Sequence, residues 1–170
     1  LLNQSEGDWY YEMQALGYNY RITDFQCALG ISQLKRLDKS IAARNEIAQM
    51  YHHKLTGVEE VELPSVPAGY HSAWHIYCVK LNIDKLAPRG ISRRTVFDFL
   101  RRNGIGVNVH YIPVYWQPYY QRLGYRRGLC PQAEEYYRRA LTLPLYPALK
   151  QRELNYIVDK LKSSFCAKTK

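Results

Sequence analysis

GYNYRITDFQCALGISQL, running from Gly17 to Leu34, decides how this chain is read. Thr23 and Gln26 stand at the N-cap and N3 positions of a capping box, each side chain able to bond the other's backbone N–H. Behind the cap, apolar residues recur at helical spacing through Phe25, Ala28, Leu29, Leu34, Leu37, Ile41, Ala48, Tyr51 and Leu55, until Gly57 stops the run. The spacing predicts one helix over 24–56. At 1.5 Å per residue it would be on the order of 48 Å long, against a radius of gyration of roughly 15 Å for a compact domain of this size. Such a rod overshoots its own domain, so its first half is expected to pack on something the chain does not contain. Upstream, residues 1–23 hold no sustained period and read as an irregular strap crowded with Trp9, Tyr10, Tyr11, Tyr18 and Tyr20.

Downstream the period changes. VEEVELPSVPAGY is a turn-rich connector, and Trp74 to Leu81 alternates as a strand. Ser92 caps a helix with Val96, Phe97 and Leu100 on its face, and Gly104 ends it. Ile105 to Tyr111 reads as a second strand, Trp116 to Leu123 as a short helix, and Pro131 opens another that runs to about Ala140. LTLPLYP is a brief extended piece. Gln151 to Ser164 is an amphipathic helix carrying Leu154, Ile157, Val158 and Leu161. The expected fold is α+β: a strap over 1–23, the long helix, a small domain over 57–165 whose short sheet is covered on one side by helices, and a tail at 166–170.

Composition narrows the class. The 170 residues are 46% hydrophobic and 23% charged, a globular balance with no run long enough for a membrane span and no signal-peptide pattern. Cys27, Cys78, Cys130 and Cys166 lie far apart, which predicts reduced thiols and a cytoplasmic setting. The net charge of +9 attracts anions, although solvated helix faces account for such a charge equally well. The arginine pairs are dispersed and no nucleic-acid motif occurs, so neither nucleic acid nor membrane is expected as a partner.

His71 and His75 have metal-like spacing but no further ligand in register, so no metal is predicted. Neither a phosphate-binding glycine loop nor a nucleophile elbow is present, and no complete catalytic set can be assembled. Two segments carry candidate chemistry. Asn19 and Arg21 flank Tyr20 just before the N-cap, where amide and guanidinium donors beside a helix N-terminus suit a phosphate; a capped helix with a local Asn turn explains them as well. VHYIPVYWQPYYQRLGY, Val109 to Tyr125, places His110 at a strand end before proline-punctuated aromatics. It suits either stacking on a base or sugar, or an aromatic mini-core.

GYNYRITDFQCALGISQL, HSAWHIYCVKL, GIGVNVHYIPVY and LTLPLYPAL, in that order, resemble the C-terminal portion of the pyridoxal-phosphate-dependent nucleotide-sugar aminotransferases, of fold type I. The resemblance covers about Trp9 to Phe165, and WYYEMQ with VHYIPVYWQPYY looks most like the branch serving pseudaminic acid biosynthesis. It implies transfer of an amino group, with glutamate as donor, to C4 of a UDP-linked 4-keto-6-deoxy sugar by a homodimer with shared active sites. It also implies that the lysine holding the cofactor as a Schiff base lies in a large domain upstream. No lysine here matches that motif, so the chain is expected to be a fragment, inactive alone, with no catalytic residue of its own. By the same resemblance Asn19 and Arg21 are cofactor-binding, Asn19 reaching the phosphate in the other subunit. His110 and Tyr111, with Trp9, Tyr10 and Tyr11, line the substrate cleft, and the long helix links two domains. A non-catalytic dimerising remnant and a basic, aromatic-rich nucleic-acid-binding module stand as the alternatives.

Overall fold

The computed structural model describes residues 15–18 and 20–166, so Trp9, Tyr10, Tyr11 and Asn19 lie outside the described residues. The chain divides into two compact units, Leu1–Arg36 and Leu37–Lys170.

In the first unit, α1 spans Asp24–Leu34. Its start follows the expected chemistry: Thr23 N donates to Gln26 Oε1 at 2.9 Å, and Gln26 N donates to Thr23 Oγ1 at 3.3 Å. No residue of α1 is buried. The single helix expected over 24–56 is interrupted. Lys35 N still reaches Ile31 O, but Arg36 N bonds Gln33 O at 3.0 Å, a tightened i→i−3 closure that ends the α-ladder without any proline or glycine. The helical run resumes as α2, Leu37–Leu55, with Asp38 in its first turn.

The second unit is built on a three-stranded antiparallel sheet in the order β1 (Val61–Glu62), β2 (Tyr77–Leu81), β3 (Ala140–Leu143). Val61 pairs with Leu81, Val79 with Leu141 and Tyr77 with Leu143. In β2 the alternation is clean: Tyr77, Val79 and Leu81 are buried while Cys78 and Lys80 are half-exposed. The buried set joins Ile47, Ala48, Tyr51 and Leu55 of α2, Val96 and Leu100 of α4 (Arg93–Arg102), and Leu154, Ile157, Val158 and Leu161 of α7 (Gln151–Ser164) in one core. A short α3 (Ile83–Leu86) follows β2, and α5 (Pro118–Arg122) and α6 (Pro131–Arg139) lie between α4 and β3. The α+β architecture with a small helix-covered sheet is therefore the one expected.

A ring stack and a hydrogen bond pin this core. Tyr51 stacks on Tyr77 at 4.8 Å between ring centres and donates its hydroxyl to Pro144 O at 2.9 Å. Burial pushes both phenols well above the ordinary tyrosine value, so both stay protonated.

The strand expected over Ile105 to Tyr111 is reduced to one antiparallel bridge, Asn108 to Thr142. The hydrogen bonds explain it. Val107 N turns back to Ile105 O at 2.9 Å, and Val109 N is taken by the Asn108 side chain at 2.8 Å. Both bonds bend the backbone into local turns on either side of Asn108, so the extended geometry a second strand needs is kept only at that residue.

Candidate functional site

The loop after the Asn108 bridge carries His110 and Tyr111. Asn108 N donates to Thr142 O at 3.2 Å and Thr142 N to Asn108 O at 2.8 Å, which fixes the loop's first residue to β3. His110 Nδ1 then lies 2.9 Å from Thr142 Oγ1, and the peptide joining His110 to Tyr111 is cis. Tyr111 is 60% exposed, with its hydroxyl accepting from Gln117 Nε2 at 3.2 Å. The structure thus brings this predicted pair together on one loop, with a half-buried imidazole and an outward phenol.

Beyond Pro113 the chain makes a 3₁₀ turn, Val114–Trp116, and the aromatics turn inward. Tyr115 donates its hydroxyl to Glu134 Oε1 at 2.5 Å and Trp116 donates Nε1–H to the same oxygen at 3.2 Å. Gly128 N completes the set at 2.5 Å. Arg127 covers the Trp116 ring at 4.2 Å, while Trp116 meets Tyr137 edge-on and Tyr137 lies under Arg93 at 4.5 Å. The Tyr115 hydroxyl above all, then the Gly128 N–H, holds the Glu134 carboxyl below the usual carboxylate value. Of the two roles open to this segment, Tyr115 and Trp116 take that of an aromatic, carboxylate-tied knot. A cleft of about 830 Å³ opens beside it, bounded by Trp116, Tyr137, Phe97, Arg93 and Arg94.

Arg21 belongs to the other unit. It is exposed, just ahead of the capped start of α1, and forms no ion pair among the described residues. His71 and His75 join no group of potential metal ligands among the described residues. There too, no helix is long and apolar enough to cross a membrane.

Glu134 and Thr142 escaped the sequence reading. Thr142 left a trace, a hydroxyl in an otherwise apolar ALTL strand, which needs a partner once buried. Glu134 left none, because an acid on an exposed helix is ordinary.

Helices on a three-stranded antiparallel sheet are the fold this chain shares with solved aminotransferases. The fold matches a Streptococcus pneumoniae protein assigned as a sugar aminotransferase and solved in its PMP form, with a TM-score of 0.81 and 25% identity over 92% of this chain and 38% of that one. The chain matches the DegT/DnrJ/EryC1/StrS aminotransferase family over residues 2–162, and it belongs to that family. It is 36% identical over 160 residues to the spore coat polysaccharide biosynthesis protein SpsC of Bacillus subtilis, covering 93% of this chain and 40% of the relative. It is 30% identical over 165 residues to the UDP-4-amino-4,6-dideoxy-N-acetyl-beta-L-altrosamine transaminase of Campylobacter jejuni, covering 93% of this chain and 43% of the relative. The chain therefore spans about two fifths of the length of these curated relatives.

Proposed function

We propose that this chain is the C-terminal part of a nucleotide-sugar aminotransferase that uses pyridoxal phosphate to move an amino group from glutamate to C4 of a UDP-linked 4-keto-6-deoxy sugar. The observation that carries this is the family match over residues 2–162, which takes in both the capped α1 segment and the His110–Tyr111 loop. The donor set at the head of α1 fits the cofactor phosphate. Arg21 offers a guanidinium free of ion pairs among the described residues, next to a helix start whose first N–H groups find no acceptor within the helix.

When bound, pyridoxal phosphate supplies the electron sink that stabilises the carbanion of amino transfer. This chain's residues do the holding. Asn19 and Arg21 bind the phosphate, Asn19 across a homodimer boundary. His110 and Tyr111 contact the nucleotide sugar, and Trp9, Tyr10 and Tyr11 close the same cleft. None of these residues performs the bond-making, so the 170 residues by themselves do not transaminate. Arg93, Arg138 and Arg139 are occupied by Tyr137, Glu135 and Glu62, which counts against a nucleic-acid-binding module.

The decisive experiment incubates the complete protein with pyridoxal phosphate, glutamate and a UDP-4-keto-6-deoxy sugar and follows 2-oxoglutarate. Amino transfer is expected from the complete protein and none from the 170-residue chain. No transfer from the complete, cofactor-loaded protein would overturn the reading. Asn19→Ala and Arg21→Ala should each weaken retention of the cofactor chromophore on desalting.

A further inference from the structure

The His110–Gln117 segment has little regular structure of its own, yet side chains hold it at both ends, and both anchors belong to one continuous stretch. We infer that α6 and β3 form a two-point clamp in which Thr142 and Glu134 are positioning residues that set His110 and Tyr111 for the nucleotide sugar. The substrate side of this inference rests on the function proposed above; the clamp itself does not.

The first anchor is Thr142. It is 6% exposed between Leu141 and Leu143, which are 0% and 1% exposed, where a valine would suit the strand equally well. Its hydroxyl has a described use in the 2.9 Å contact with His110 Nδ1. Its backbone N–H and C=O are both bonded to Asn108, and Cys78 of β2 is its register partner on the other side, so the hydroxyl occupies a fixed position. The second anchor is Glu134, where a single carboxylate oxygen collects Tyr115, Trp116 and the Gly128 N–H. Gln117, next to Trp116, passes this position back to the Tyr111 hydroxyl at 3.2 Å.

The platform beneath both anchors is tied to the sheet. Arg139 donates Nε to Leu81 O at 3.0 Å and Nη2 to Glu62 at 3.0 Å, and the Tyr136 hydroxyl lies 3.1 Å from Cys78 Sγ. Thr142 orients the imidazole and Glu134 fixes the turn that leads back to Tyr111. Releasing either anchor changes where two substrate contacts lie without touching the reacting atoms.

The arrangement has a readout that needs no activity. The Gly128 N–H bound by Glu134 belongs to the Arg127–Gly128 peptide bond, a trypsin site whose arginine side chain is also stacked on Trp116. Cleavage there requires the clamp to open.

The test uses the complete enzyme and the variants Glu134→Ala, Glu134→Gln, Thr142→Val and Thr142→Ser. Glu134→Ala should speed tryptic cleavage after Arg127 by about tenfold and raise KM for the UDP-keto-sugar by about tenfold, with kcat held within about twofold. Glu134→Gln, whose amide oxygen still accepts, should restore both, a rescue that loss of packing alone would not show. Thr142→Val should raise the same KM and Thr142→Ser should not. Wild-type cleavage after Arg127 in Glu134→Ala overturns the clamp. Faster cleavage with unchanged KM upholds the clamp and overturns the assignment of His110 and Tyr111 to the sugar. If Glu134→Ala is instead cut throughout its sheet and helices, the Thr142 pair decides: equal KM values for valine and serine overturn the inference.

Discussion

The capped start of α1 and the whole of α7 are both expected from the sequence, and the two helices are stable for different reasons. α7 places Leu154, Ile157, Val158 and Leu161 in the core and leaves Gln151, Arg152 and Asp159 to solvent, so burial holds it in place. α1 carries Phe25, Leu29, Ile31 and Leu34, yet Phe25 is 82% and Leu34 is 67% exposed and none of its residues is buried. Its order comes from the Thr23–Gln26 box and backbone bonds, and an 11-residue helix on those terms is marginal in water. Helical periodicity thus records a capacity to form a helix. What the helix packs against is a separate fact.

The largest test of this contrast is Leu161→Ala, which opens a void at a fully buried position and should cost about 2–5 kcal/mol in urea unfolding of the chain. Phe25→Ala deletes a larger side chain and should change the same measurement by no more than about 0.5 kcal/mol. Comparable losses from the two would break the comparison, because Phe25 would then be buried in solution. Thr23→Ala should cost about 1 kcal/mol of helix stability, read as faster amide exchange through α1.

The smallest effect concerns Glu62, whose carboxyl is held below the ordinary 4.5 by its hydrogen bond to Lys80, assisted by Arg139. A carboxyl lowered in the folded state adds stability that is full above about pH 4.5 and drains as pH falls through the lowered value. Its side chain is 49% exposed and solvent screens the pairs, so Glu62→Gln should flatten the acid limb of the stability curve only slightly. An unchanged acid limb would show that these pairs add nothing to folding.

Element by element, what was legible follows from where the controlling interaction lies. Thr23, Ser92 and Gly57 act on their own neighbours, and their helices begin and end where the local grammar places them. The break at Lys35–Arg36 was not legible, since apolar spacing continues across it and neither breaker residue is present. The strand expected over 105–111 failed for a related reason. Its β-rich composition is real, but the backbone turns locally on both sides of Asn108, at Val107 N to Ile105 O and at Val109 N to the Asn108 side chain. At the site, His110 and Tyr111 stood out by residue type and by resemblance. Thr142, which meets His110, left only its hydroxyl as a trace, and Glu134, which holds Tyr115 and Trp116, left none, because each lies far along the chain from the residues it holds.

By itself the sequence determined the helix caps, the amphipathic faces of α4 and α7, the alternation of β2 and the aminotransferase resemblance, all carried by neighbouring residues or by motif. Only the tertiary structure decided that Asn108 meets Thr142, that one oxygen of Glu134 gathers Tyr115, Trp116 and Gly128, and that the GVNVHYI segment is a pinned loop rather than a strand. The physical reason is competition for hydrogen bonds. A donor's propensity is written locally, but the acceptor it finds depends on which distant segment the packed core brings within about 3 Å.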